Sequence, residues 1–150
     1  MSFSHDVIDA GATTFVVHGP HQLRVGEIYK GRPIFYSLGN FFFHIETIDP
    51  MPADIREQYE MDMDALASEI YDTRFEVDEN GNATTGYPAG PQWYRSVLAV
   101  AEFRGAEAGE IRFHPIELGW RMPRSQRGTP RLAPEPLARE IIEHLAELSE

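Results

Sequence analysis

The sequence predicts a mixed α/β (α+β) domain built from short β-hairpins and ended by a helix. Three features support this: two pairs of apolar segments, each pair joined by a glycine-containing turn, and an amphipathic stretch at the C-terminal end. With 150 residues, of which 42% are apolar, the chain has the size and composition of a single folded domain over residues 1–150.

The first third of the chain combines a helix with short strands. A helix is expected to end near Gly11, where a glycine cap belongs, and the apolar stretch 13–17 predicts a buried strand. Segments 25–29 and 33–38 flank a glycine-containing turn and predict the first hairpin. Gly39 then ends the second strand, and we expect it to adopt a positive φ.

The middle of the chain changes character and predicts a helical and loop insertion over residues 50–92. One or two amphipathic helices are expected up to residue 72, and residues 76–92 predict a long loop. The apolar residues at helical spacing are Ile55, Tyr59, Met63, Leu66 and Ile70.

The last third predicts a second hairpin and a final helix. Segments 95–103 and 110–118 alternate as strands around a turn at 105–109. An irregular, Arg- and Pro-rich arm covers 121–133, and Pro134 suits the first position of the closing helix.

Charge and composition exclude several classes of function. The net charge of −11 disfavours nucleic acid as a partner, since phosphate neutralisation supplies most of that binding. The absence of cysteine excludes disulfides and thiolate metal sites. No apolar run predicts a transmembrane segment, and no secretion signal is visible. As written the chain is expected in the cytoplasm, or in the cell envelope if an export signal lies upstream.

Two histidines on one turn are the strongest candidate site. His18 and His21 follow the predicted strand 13–17 and flank a Gly-Pro pair. Loops at strand ends are where α/β folds place their ligands, and neutral imidazoles suit Zn, Fe, Ni or Cu. The alternative is a pair of turn histidines hydrogen-bonded to the backbone.

Weaker candidates lie elsewhere in the chain. Asn40 is placed to offer its amide to a phosphate or carboxylate, or else to bond its own turn. Arg127 and its neighbours Arg124 and Arg131 form either an anion clamp or, as we favour, ties between an irregular arm and acidic residues. A further metal ligand is sought among His44, Glu46 and Asp49.

Four segments in order resemble one protein family. They are Ile8–Ala12, Val16–His21, Glu27–Phe41 and Gln126–Ala133. Together they resemble the CapA-type poly-γ-glutamate capsule-synthesis proteins of the calcineurin-like metallophosphatase superfamily. The resemblance spans nearly the whole chain.

The resemblance implies a fold and a metal site. It implies the C-terminal half of a four-layer α/β/β/α sandwich, with His18 and His21 as ligands of a divalent metal such as Mn, Fe or Zn. Val17 departs from the family, which usually has glycine there. His5 stands where family members often have histidine, and either orients a ligand or packs the helix end.

The resemblance also shows what this sequence lacks. The family's N-terminal half, which completes a two-metal site, does not precede His5, and two histidines cannot hold two ions. A metal-dependent phosphoesterase or hydrolase is implied, but we expect this chain alone to be inactive. It either binds a divalent metal or, as a truncated chain, lacks it. The alternatives are a non-catalytic scaffold of capsule synthesis or a half-domain that self-associates. The partners expected are a second copy or the missing half, and an anionic polymer or phosphoester as substrate.

Overall fold

The computed structural model describes residues 3–44, 47, 51–72, 79 and 90–149, and these form an α+β fold, as predicted. The helices and strands, in chain order, are α1 (Phe3–Asp9), β1 (Phe15–Val16), β2 (Gly26–Tyr29), β3 (Arg32–Phe35), α2 (Ala53–Gln58), α3 (Ala67–Asp72), a 3₁₀ helix (Pro91–Tyr94), β4 (Arg95–Arg104), β5 (Glu107–Glu117), β6 (Arg131–Leu132) and α4 (Leu137–Glu147).

The first sheet has the strand order β1-β3-β2. β2 and β3 form the predicted hairpin, in which Glu27 pairs with Ile34, and β1 runs parallel to β3. β1 has only two residues, although the Val17 amide still donates to the Phe35 carbonyl at 2.8 Å. The C-terminal ends of β1 and β3 therefore lie at the same end of the sheet, and the loop that contains both histidines follows β1 there.

The second sheet is antiparallel with the order β4-β5-β6. β4 and β5 have 10 and 11 residues, because the turn between them occupies only Gly105 and Ala106 rather than the expected 105–109. The arm predicted to be irregular contributes the two-residue strand β6, which pairs with the end of β5.

The segment before the predicted loop forms two short helices, in agreement with the one or two that were predicted. Met63 and Leu66 are exposed by 73% and 62%, so their expected place on a buried face is wrong. Met51 and Ala67 are buried instead, because the chain turns between α2 and α3 and brings them together. Apart from Glu79 and residues 90–92, the predicted loop 76–92 lies outside the described residues.

Helix α4 connects the two sheets. It begins at Leu137 with Pro136 as its cap, three residues later than the predicted first position at Pro134. Its buried residues Ile141 and Leu145 pack with Leu23, which precedes β2, and with Val97 of β4. In the described part of the chain no helix is long and apolar enough to cross a bilayer. The four-layer arrangement stays a prediction.

A second buried cluster fixes the loop after β3. Phe43 packs with Tyr94, Ile116 and Leu118, and the Phe43 amide donates to the Gly128 carbonyl at 3.0 Å. Of the aromatic residues here, Phe43 and Tyr94 are buried in this cluster, whereas Phe41 and Phe42 are exposed by 48% and 63%.

Candidate functional site

The loop after β1 brings His18 and His21 together. It closes as a turn in which the His21 amide donates to the His18 carbonyl at 3.1 Å, and His21 has a left-handed φ of 56°. The ring centroids of the two histidines lie 5.1 Å apart and their planes are inclined by 52°. His18 is exposed and His21 is half-buried, so the pair faces solvent at the strand edge.

Asn40 fixes the orientation of His21. Its side-chain Nδ2 donates to the Trp93 carbonyl at 2.9 Å, which sets the direction of the amide, since a carbonyl can only accept. The Asn40 Oδ1 therefore faces the His21 Nδ1 at 2.7 Å and accepts its proton. A neutral His21 then has its lone pair on Nε2, the atom that a metal would use.

The backbone around Gly39 holds Asn40 in place. Gly39 has the positive φ that the sequence predicts, at 79°. A Cβ at this position would lie 2.8 Å from the Arg95 carbonyl and 2.7 Å from the Ser96 Cβ, so only glycine lets the loop approach β4 so closely. Asn40 itself is only 2% exposed.

The spacing of the two histidines bears on the metal that the resemblance implies. Two imidazoles that bind one ion through bonds of about 2 Å hold their ring centres about 5 Å apart in a tetrahedral arrangement, and the observed separation fits. Within the described residues no group of three or more His, Asp or Glu side chains converges on one point. The ring separation therefore matches that of two imidazoles on one ion, and the described residues add no third ligand beside them.

His5 lies in a different polar network. Among the described residues its Nε2 is 2.7 Å from the Glu27 Oε1, and its ring stacks on Tyr29 at 3.9 Å. The Tyr36 hydroxyl donates to the same Glu27 oxygen at 2.6 Å. The bond from Tyr36, followed by the one from His5, lowers the pKa of Glu27. This network ties α1 to the first sheet.

The arginines of the arm make mainly internal contacts. Arg131 pairs with Glu117 at 3.0 Å and donates to the Gln126 carbonyl at 2.6 Å. Arg124 donates to the Ser68 hydroxyl at 3.1 Å. Arg127 is only 6% exposed, beside a turn in which the Gly128 amide donates to the Leu118 carbonyl. A role for Arg127 in substrate binding stays a prediction.

The further ligands sought after Phe43 do not join the histidines within the described residues. His44 is hydrogen-bonded to Thr129 at 2.8 Å, and Glu46 and Asp49 lie outside the described residues. Sequence reasoning missed the Trp93 carbonyl, which orients Asn40. Because it is a backbone atom 53 residues away, no local pattern points to it.

Comparisons with known proteins agree with the resemblance. Residues 1–45 match the family described as bacterial capsule synthesis protein PGA_cap. This range contains the positions of His18, His21 and Asn40. It confirms the CapA-type resemblance over this part of the chain.

Three relatives extend the comparison. Proteins y4sH and y4uA of Sinorhizobium fredii are each 44% identical over 99% of this chain, which covers 32% of their own length. PGA biosynthesis protein CapA of Bacillus subtilis is 60% identical over 35 residues, which are 23% of this chain and 9% of that protein. The chain thus spans about a third of the length of the relatives it matches throughout.

Proposed function

We propose that this chain is part of a capsule-biosynthesis protein and supplies His18 and His21 as ligands to a divalent metal centre. The observation that supports this most directly is the pair of imidazoles 5.1 Å apart on one turn, with the lone pair of His21 directed to Nε2 by Asn40. Fe or Zn suits such nitrogen donors, and the family resemblance adds Mn as a third candidate. When bound, the ion would lower the pKa of a coordinated water towards 7.

The remaining ligands are proposed to come from outside these 150 residues. Two imidazoles leave most of the coordination sphere of an ion unfilled, and a two-metal centre needs more donors still. A second copy or a further segment such as the longer relatives contain would supply them. The completed centre would act on a phosphoester or on an anionic capsule polymer, and this chain alone would be inactive.

Metal titration of the chain tests the histidine pair. Calorimetry with Zn²⁺ or Mn²⁺ is expected to show one weak site that His18→Ala and His21→Ala each weaken at least tenfold. The matched control is His114→Ala, which removes an exposed histidine from β5 and should leave the affinity unchanged. Equal affinity in all four proteins would overturn the proposed ligands.

Asn40 is proposed as a positioning residue for the same site. Asn40→Ala should weaken metal binding by about tenfold, since loss of a group that orients a ligand costs roughly 10- to 100-fold. The ¹⁵N chemical shifts of the His21 ring should also show a mixture of tautomers, which a purely structural role would not produce. A single unchanged Nδ1–H tautomer would contradict the assignment.

A scaffold without catalysis is the second candidate. It is favoured by the absence of a three-ligand cluster among the residues that the structure describes. Phosphodiester hydrolysis by the whole y4sH relative separates the two functions. Activity that requires added Mn²⁺ and disappears with chelator supports the metal centre, and inactivity of that protein at all metal concentrations supports the scaffold.

A further inference from the structure

We infer that the cleft between the loop at Gln22–Arg24, the 3₁₀ helix and α4 binds a chain-like ligand with several carboxylates, held by Arg24 and Arg95. The cleft has a volume of about 430 Å³. This inference rests on the proposed function in one respect, because it assigns a binding site to the anionic polymer. It involves none of the proposed metal ligands.

The charge of the cleft is opposite to that of the chain. Acidic residues outnumber basic ones by 24 to 13 overall, yet the cleft is lined by two guanidinium groups, those of Arg24 and Arg95, against one carboxylate, Glu140. Guanidinium groups bind carboxylates through paired hydrogen bonds, so two of them in one cleft favour an anion with more than one carboxylate.

Backbone hydrogen bonds hold Arg24 and Arg95 in place, and their side chains remain accessible to a ligand. The Arg24 amide donates to the Ser37 carbonyl at 3.0 Å, and its side chain is exposed. Arg95 pairs with Glu140 at 3.3 Å, but these side chains are 39% and 53% exposed. An ion pair this exposed to water contributes little to the stability of the fold. A ligand carboxylate can therefore replace Glu140 beside Arg95.

The rest of the lining suits a carbon chain with polar groups along it. Leu23, Ile141 and Leu148 provide apolar surface, and Gln22 and Gln92 provide amides. A compact anion such as phosphate would use the arginines and leave the apolar surface uncovered. A polymer of acidic units joined by amides would use all three kinds of group.

The position of the cleft links it to the histidine turn. Gln22 directly follows His21 in the sequence, and Gln92 precedes Trp93, whose carbonyl orients Asn40. A ligand in the cleft would therefore lie beside the turn that contains the proposed metal ligands.

Binding of a synthetic glutamate oligomer, measured by calorimetry with chelator present, tests the inference. The oligomer should bind, more weakly at high salt, and a glutamine oligomer of equal length should not. Arg24→Gln and Arg95→Gln should each weaken binding about tenfold, the size expected for one charged hydrogen bond. Arg139→Gln is the matched control, because Arg139 lies beside Glu140 on α4 but outside the cleft. This variant should bind the oligomer with unchanged affinity.

A variant with tighter binding protects the test from folding artefacts. Glu140→Gln removes the carboxylate that competes for Arg95 and should tighten oligomer binding roughly threefold, as expected for release of an exposed ion pair. Equal binding of the glutamine oligomer, unchanged affinity in both arginine variants, or phosphate that competes as tightly as the oligomer would each overturn the inference. The oligomer titration contains chelator, so its result is independent of the separate metal titration. If the oligomer does not bind but metal still binds at His18 and His21, only the present inference fails. If the oligomer binds but metal does not, only the proposed metal centre fails.

Discussion

The residues 3–44 and the residues 90–149 build different kinds of surface. The first region has strands of two to four residues, and its loops bury the polar side chains of Ser37 and Asn40. The second has strands of 10 and 11 residues and exposes Leu98 and Val100 on one face of β4. The family match covers residues 1–45 and thus the first region. The candidate chemistry therefore lies on loops of a small sheet, and the long hairpin and its flanks supply the backbone that fixes those loops.

The largest effect is expected at the contact between the two regions. Gly39→Ala should reduce the free energy of unfolding by about 3 kcal/mol, because the new Cβ meets the Arg95 carbonyl and a left-handed φ of 79° is unfavourable for alanine. The measurement is denaturant unfolding followed by circular dichroism.

Gly105→Ala provides the control for that prediction. Gly105 also has a positive φ, 65°, but a Cβ there would meet nothing within 4 Å. Its cost should be the left-handed conformation alone, about 1 kcal/mol. If both variants lose the same stability, the close approach of the Gly39 loop to β4 does not hold the two regions together.

The sequence was sufficient for features set by local physics. The first hairpin and the positive φ of Gly39 follow from turn chemistry, and the final helix follows from periodicity. The second hairpin is longer than predicted, because the β4–β5 pairing continues up to a two-residue turn. The small and polar residues around this turn predict a longer loop. Pairing across strands overrides such local composition.

The site could be predicted only in part. His18 and His21 stand out by their spacing after a strand, but the hydrogen bond from Asn40 to the Trp93 carbonyl joins positions 53 residues apart. Likewise, Arg24 and Arg95 come from different regions and meet at a cleft that only tertiary packing creates. Long-range contacts of this kind leave no periodic trace in a single sequence.

A smaller effect is expected on the pH dependence of the unfolding free energy, where one carboxylate from each region can be compared. The pKa of Glu27 is lowered by Tyr36 and His5, so this carboxylate stabilises the fold above its unfolded pKa of about 4.5 and loses that contribution as the pH falls through the lower folded value. Tyr36→Phe should reduce the loss of stability between pH 7 and pH 3 by less than about 1 kcal/mol, since the Glu27 side chain is 38% exposed.

Arg112→Gln is the corresponding change in the hairpin. Arg112 lowers the pKa of Glu110, which gives the same sign, but both side chains are more than half exposed. Its effect on the pH dependence of the unfolding free energy should be smaller than that of Tyr36→Phe. A larger effect from Arg112→Gln would show that burial does not separate the two regions electrostatically.

The smallest effect on stability is expected on the exposed face of β4, where self-association is predicted. Leu98 and Val100 are 43% and 44% exposed and lie two residues apart on one face of the strand. Leu98→Thr with Val100→Thr places threonine, a β-branched residue that favours strands, at both positions, so stability should change by no more than about 0.5 kcal/mol. Association measured by sedimentation velocity should weaken, because apolar area is the main contribution to such contacts.

Ile28→Thr makes the same kind of change on β2 of the first region, where Ile28 is 59% exposed. If Ile28→Thr alone weakens association, the first region is the interface, and if the unaltered chain is monomeric at every concentration, the predicted second copy is wrong.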